Sequence, residues 1–319
     1  MLKRLLGFAK RLVKVPLEAR LGRLDVRYRH RQDLHRIPSV QQAIAIVEER
    51  WPEVRANAPT DAPIFILAAG WRSGSTLLQR LVMSSGQTLI WGEPYANCDY
   101  PGLLARSLRI FTADYPTAEW FIGPGDRRRA ELSEEWIANL YPNMPDLIGA
   151  HRRFFLRLYA EPAVARGYVR WGLKEVRLTI ADAGYLRLLF PHGRFLFLYR
   201  SPYTAWRSYR IWRSWYFRWP DQPIFTPREF GVLWRSLVQG YVDGAQSVGG
   251  MLVKYEDLAG GQRDLEALGR HLSLELNPGV LDSRVEGRGV DPDPVPDAEL
   301  RILRRAVAPL AGLLGYHHG

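Results

Sequence analysis

The residues of this chain that could do chemistry stand where short apolar runs end. Ile64 to Ala69 is six consecutive apolar residues, the length of a buried strand. It breaks at Gly70, and Arg72, Ser73, Gly74, Ser75 and Thr76 follow before Leu77, Leu78, Leu81 and Val82 recur at helical spacing. A strand, a small-residue loop and a helix start make a cradle for an anion. N–H groups at the helix start point at the ligand, the helix dipole adds positive potential, and the missing side-chain bulk lets a phosphate reach the backbone. Arg72 adds a fixed charge, and the three hydroxyl residues add donors. The nucleoside-triphosphate form of such a loop requires G-x-x-x-x-G-K-[ST]. Here Gly70 and Gly74 are only four apart and Ser75 occupies the Lys position. The string reads as a phosphate cradle outside the triphosphate signature; by itself it is equally a Ser/Gly turn entering a helix.

Three further run ends bear on the same rim. Thr88 to Trp91 closes in Gly92, Glu93, Pro94 and Tyr95, which puts Glu93 21 residues after Arg72, one helix and one strand downstream. In an open parallel sheet that end is where ligands bind, although a loop acid taken alone is more simply a solvated one. Tyr168 to Leu173 is a strand candidate ending at Lys174 and Glu175. Arg194 to Tyr199 is a strongly apolar strand ending at Arg200, with Ser208 eight residues on, near the start of the next helix. Kinases and ATPases of the P-loop type often place a magnesium-binding Asp at such a strand end. A cation there points to anion binding that needs no metal, with the Ser208 hydroxyl able to join Arg200 on one phosphate.

The elements that must position these groups follow from the rest of the chain. At 319 residues and 47% hydrophobic, the chain can bury one full-sized core. Gly250 to Tyr255 supplies a fifth strand, and Glu256, Asp257 and Leu258 open the next helix. Residues 100 to 168 read as mainly helical, with charged clusters Arg127 to Arg129 and His151 to Arg157 as solvated faces. The Trp- and Arg-rich stretch from Trp206 to Trp219 reads as core packing with snorkelling guanidinium groups, or as a surface for sugars or anions. One cysteine, Cys98, excludes an internal disulfide framework. Seven histidines fall in no metal-ligand spacing, and no metal site is expected; His317 and His318 read as a solvated tail.

Residues 1–36 hold eleven Lys and Arg against three acids, a net of +8 within the chain's +11. The high charge thus belongs to the N-terminal segment, and nucleic acid is not an expected partner. Residues 1–15 alternate Leu, Phe and basic residues, fitting either a helix lying on an anionic membrane or one packed on protein. No apolar run is long enough to span a bilayer. The expected division is a basic helical segment over 1–60 and an α/β domain over 61–319, with a helical insertion around 100–168.

Taken together, these motifs resemble the sulfotransferase superfamily that uses 3′-phosphoadenosine 5′-phosphosulfate (PAPS). Trp71 to Leu78 (WRSGSTLL) resembles its 5′-phosphosulfate loop. Phe195 to Ser208 (FLFLYRSPYTAWRS) resembles its 3′-phosphate motif, with Arg200 and Ser208 at the family interval. Leu252 to Leu258 (LVKYEDL) resembles a late strand-and-helix element of these enzymes. The loop at Trp91 to Tyr95 (WGEPY) resembles the one carrying the catalytic Glu of tyrosylprotein sulfotransferases and bacterial relatives. Lys174, 26 residues before Arg200, matches their catalytic Lys. The resemblance spans about Ile64 to Leu258. It implies a three-layer, P-loop-like α/β fold with a central, mainly parallel sheet flanked by helices. It also implies PAPS as sulfuryl donor without a metal, a hydroxyl-bearing acceptor, catalytic roles for Glu93 and Lys174, and nucleotide contacts from Arg72, Ser73, Gly74, Ser75, Thr76, Arg200 and Ser208. Ser201 departs from the Asp usual before Pro, and Arg288 is the candidate for the late nucleotide loop. The chain lacks the membrane anchor of Golgi members, so a cytoplasmic enzyme is expected, with peripheral membrane contact through residues 1–15 as a further option. The competing readings are a P-loop kinase-type phosphotransferase, which lacks its loop Lys here, and a non-enzymatic basic protein of membrane surfaces or nucleic acid.

Overall fold

The computed structural model describes residues 37–56, 59–93, 99–123, 134, 139–210, 224–260, 264–282 and 294–317. The basic segment 1–15, Pro94 and Tyr95, Cys98, Arg127 to Arg129, Trp212 to Trp219, Arg288 and His318 lie outside the described residues.

Each apolar run expected as a strand forms one. Strands β1 (Ile64–Ala68), β2 (Thr88–Trp91), β5 (Arg170–Glu175), β6 (Arg194–Tyr199) and β7 (Gly250–Lys254) make a sheet in the order β2-β5-β1-β6-β7. All its pairings are parallel, with Leu67 opposite Glu175, Ala68 opposite Leu198, Trp91 opposite Leu173 and Tyr199 opposite Lys254. Parallel strands joined by helical crossovers end on one edge, so every loop singled out above leaves the same rim. β5 runs two residues later than the sequence expectation. Lys174 and Glu175 are its last two residues, buried in the strand, because each finds a charged partner there.

The sheet is apolar on both faces, as a parallel sheet sandwiched between helices must be. Phe65, Leu67, Trp171, Leu173, Phe195 and Phe197 point to one core, while Ile64, Ile66, Ala68, Leu196, Leu198 and Val253 point to the other. This is the period-two alternation of a strand. Helix α2 (Ser75–Met83) covers the second face with Leu78, Leu81 and Val82, joined by α9 (Leu265–Leu272) through Leu268 and Leu272. The first face is covered by α1 (Val40–Arg50), α5 (Ile180–Leu189), α7 (Pro227–Gly244) and α10 (Asp297–Val307). Helix α1 starts at a capping box, in which Ser39 and Gln42 exchange side-chain-to-backbone bonds of 2.8 and 3.2 Å. The result is a three-layer α/β architecture.

Among the described residues between β2 and β5 the chain is mainly helical, with α3 (Tyr100–Ser107) and α4 (Met144–Phe155). It also contains a short parallel pair, β3 (Phe121–Ile122) with β4 (Tyr141–Pro142). Arg152 corrects the reading of His151 to Arg157 as a solvated face. It is buried, and its guanidinium donates to the carbonyls of Val54, Leu188 and Leu189 at 2.9–3.3 Å. The last two are carbonyls at the end of α5, where a helix leaves acceptors unpaired and favours a cation. Among the described residues no helix is long and apolar enough to cross a membrane.

Candidate active site

At the end of β1 the chain turns through two residues with positive φ, Gly70 at 84° and Arg72 at 64°, before Gly74 at 90° caps α2. Among the described residues no side chain caps this helix. Leu77 N–H bonds the Gly74 carbonyl at 2.9 Å, which leaves the N–H groups of Ser75 and Thr76 at the helix start without an intrahelical acceptor. A Cβ on Gly74 would lie 2.1 Å from Cδ2 of Tyr255, so only glycine lets the ring of Tyr255 lie against the loop. Ser73 is 1% exposed, and among the described residues its Oγ has no hydrogen-bond partner. A buried hydroxyl without a partner costs free energy. Beside a turn of free amides, it fits a loop completed by an anionic ligand.

Glu93 and Lys174, 81 positions apart, meet on this rim: Lys174 Nζ donates to Glu93 Oε1 at 2.7 Å. The register explains the meeting, since Trp91 pairs with Leu173, Lys174 is the next residue of β5, and Glu93 lies two past the end of β2. The side chains are 8% exposed for Lys174 and 25% for Glu93, so a carboxylate and an ammonium are held together and still reachable from one side. Trp91 fixes the strand just before Glu93 by donating from Nε1 to the carbonyl of Tyr159 at 3.0 Å. That carbonyl belongs to the π-helical turn Leu156–Ala160, a local widening that often marks functional regions. Behind the pair, Glu175 is buried and bound by Arg177 through Nε and Nη2, both at 3.0 Å. Burial pushes the Glu175 pKa up, opposed by Arg177, and the nearby charge of Glu93 pushes the same way as burial.

The remaining candidates form a second group on the β1 and β6 ends. Arg72 Nε donates to Ser208 Oγ at 2.8 Å, and Arg200 Nη1 donates to the Arg72 carbonyl at 3.1 Å. Ser208 stands in the second turn of α6 (Pro202–Arg210). The guanidinium of Arg200 lies over the Tyr255 ring, 4.3 Å from its centroid, and Nε donates to Thr204 Oγ1 at 3.0 Å. Arg72 thus reaches toward the Arg200 and Ser208 group, although the sequence ties it to the loop of β1. The sequence reading missed Tyr255 as a site residue, although it touches both Gly74 and Arg200; its place at the end of the fifth strand, within the Leu252 to Leu258 motif, was the signal that could have found it.

The rim therefore carries a proton acceptor paired with a cation, next to a small-residue loop and a group of two guanidiniums and a hydroxyl. This arrangement can bind a multiply charged anion and deprotonate a neutral group beside it. Among the described residues no group of three His, Cys, Asp or Glu is placed to hold a metal ion. Trp206 and Tyr209 are core residues, and Trp206 Nε1 donates to Glu299 at 2.9 Å, which favours the packing reading for the described part of that stretch.

Comparison with known families matches residues 63–278 to the Sulfotransferase family. Solved structures to which the chain is similar include the sulfotransferase domain of the Synechococcus PCC 7002 olefin synthase, at 17% identity and TM-score 0.42, covering 83% of this chain and 98% of that one. The sulfotransferase domain from the curacin biosynthetic pathway aligns at 16% identity and TM-score 0.46, covering 81% and 99%. Sulfotransferase STF9 from Mycobacterium avium aligns at 14% identity and TM-score 0.41, covering 85% and 81%. Comparison with curated protein sequences returned no match.

Proposed function

Since the chain belongs to the Sulfotransferase family, matched over residues 63–278, we propose that it moves the sulfuryl group of PAPS to an acceptor hydroxyl. The observation that carries this reading is the 2.7 Å contact of Lys174 with Glu93 on the same strand rim as the Arg72, Arg200 and Ser208 group. PAPS, when bound, supplies an activated sulfuryl group and leaves as the 3′,5′-bisphosphate PAP. The amides of the Gly74 turn and the unpartnered Ser73 hydroxyl would hold its 5′ end, with Ser75 and Thr76 as further donors. Arg200 and Ser208 would hold the 3′-phosphate, and Arg72, already bonded to Ser208, would bridge the two ends.

Glu93 takes the proton of the acceptor hydroxyl as its oxygen bonds to sulfur, the role of a positioned general base. Lys174 neutralises charge that grows on the bridging oxygen as the old sulfur–oxygen bond breaks. Their pairing keeps the ammonium beside both the base and the leaving group. The acceptor is of the hydroxyl class: glycan, glycolipid, small metabolite or peptide tyrosine. Titrating PAP into the protein in EDTA tests the donor. Binding without magnesium, with AMP much weaker, is the expected result. No PAP binding in EDTA, together with magnesium-dependent binding of ATP, would replace this reading with phosphotransfer.

A further inference from the structure

The peptide unit that joins Arg200 to Ser201 is held at both of its polar ends. Trp234 Nε1, from α7, donates to the Arg200 carbonyl at 2.9 Å, and the Ser201 N–H donates to Glu256 Oε1 at 2.9 Å. Glu256 belongs to the short helix α8 (Tyr255–Ala259), directly after Tyr255. Both clamps meet at one residue near the C-terminus. Tyr316 donates from its hydroxyl to Glu256 Oε2 at 2.8 Å, and its ring lies 6.4 Å from that of Trp234.

Tyr316 is 8% exposed, although His317 and His318 directly after it read as a solvated tail. Gly315, at φ 78°, turns the chain so that Tyr316 N–H returns to the Ala311 carbonyl at 2.9 Å and the ring points inward. There Tyr199, the last residue of β6, packs edge-on at 6.4 Å. Lys254 sits 4.7 Å from the ring centroid and donates to the Leu314 carbonyl at 3.2 Å. Burial, then the charge of Glu256, raises the Tyr316 pKa, so its hydroxyl remains a donor to the carboxylate.

We propose that Tyr316 is a positioning residue for the 3′-phosphate site: through Glu256 and Trp234 it fixes the Arg200–Ser201 peptide and so aims the Arg200 guanidinium. The N–H of Ser201 is anchored by Glu256, and the anchor is itself tied down by the C-terminal segment. The inference rests on the PAPS reading of Arg200.

The test is the ratio of PAP to AMP affinity, measured by calorimetry for wild type, Tyr316→Phe, Tyr316→Ala, Glu256→Ala, Glu256→Gln and Arg200→Ala, with the Tm of each. PAP affinity should fall about tenfold in Tyr316→Ala and Glu256→Ala, the scale of one hydrogen bond to a charged group, while AMP affinity stays level. Tyr316→Phe keeps the ring contacts and loses the hydroxyl, so it should fall less. Glu256→Gln keeps an acceptor for Ser201 and should recover most of the ratio. A merely structural role would weaken both nucleotides or lower Tm alone. If Arg200→Ala lowers the ratio but Tyr316→Ala and Glu256→Ala keep it at the wild-type value, the inference is overturned. Should Tyr316→Ala not fold, an unchanged ratio in Tyr316→Phe together with Glu256→Ala overturns it equally. An unchanged ratio in Arg200→Ala removes the PAPS reading of that residue, and this inference falls with it.

Discussion

At the scale of single residues, the rim is a set of charges each held by a named partner. Lys174 is the clearest case, with one face on Glu93 and the other enclosed by the sheet. Lys174→Ala should slow turnover by about 10²–10³ through loss of charge stabilisation on the leaving oxygen, with PAP affinity changed less. Loss of PAP binding with no separate effect on rate would make Lys174 a binding residue only. The side chains just described were unevenly legible. Glu93, Lys174 and Arg200 were singled out because each follows an apolar run, and a charge at such a run end is conspicuous; Ser208 was singled out by its interval from Arg200. Arg152 was misread and Tyr316 was passed over, since nothing in a sequence shows that a cation will meet three carbonyls or that a ring near the terminus will reach Glu256. Burial of a polar group depends on partners distant in the chain.

At the scale of elements, the β1 loop depends on glycine at position 74. Gly74→Ala would force a side chain into left-handed backbone and onto the Tyr255 ring. The backbone strain alone costs about 1–3 kcal/mol. Both Tm and PAP affinity should drop, the second because Tyr255 also supports Arg200. An unchanged Tm would mean that the ring yields freely. A second effect concerns helix packing. Burial lowers the pKa of His151, whose Nδ1 faces the Tyr185 hydroxyl at 3.0 Å, and of His271, against the Phe195 carbonyl at 3.1 Å. Below about pH 6.5, the ordinary histidine value, the unfolded chain takes up protons that the folded one resists, so these two groups make stability fall as pH falls. Glu175 and Asp182, raised by burial, act with the opposite sign. The informative quantity is therefore the difference in Tm between wild type and His151→Asn/His271→Asn, which should narrow from pH 7.5 to pH 5. A difference constant across that range would contradict it. Strand ends were legible to within two residues; β5 was placed early because Lys174 and Glu175 look like a stop and are in fact buried strand residues.

At the scale of the molecule, the all-parallel order β2-β5-β1-β6-β7 is what gathers Glu93, Lys174, the Gly74 turn and Arg200 on one edge. The sequence supplied the strands but not their order. Adjacency of β2 and β5 in the sheet, which brings Glu93 to Lys174 across 81 positions, depends on pairing between distant segments. The central claim is that Glu93 activates the acceptor hydroxyl against PAPS. It is tested most directly by single-turnover conversion of PAPS to PAP at enzyme excess, with water serving as the acceptor, in wild type and Glu93→Gln. The account predicts conversion by wild type in EDTA and a rate lower by about 10²–10⁴ in the variant, the usual contribution of a positioned base, with PAP affinity kept within a few-fold. Equal rates in the two proteins would contradict it.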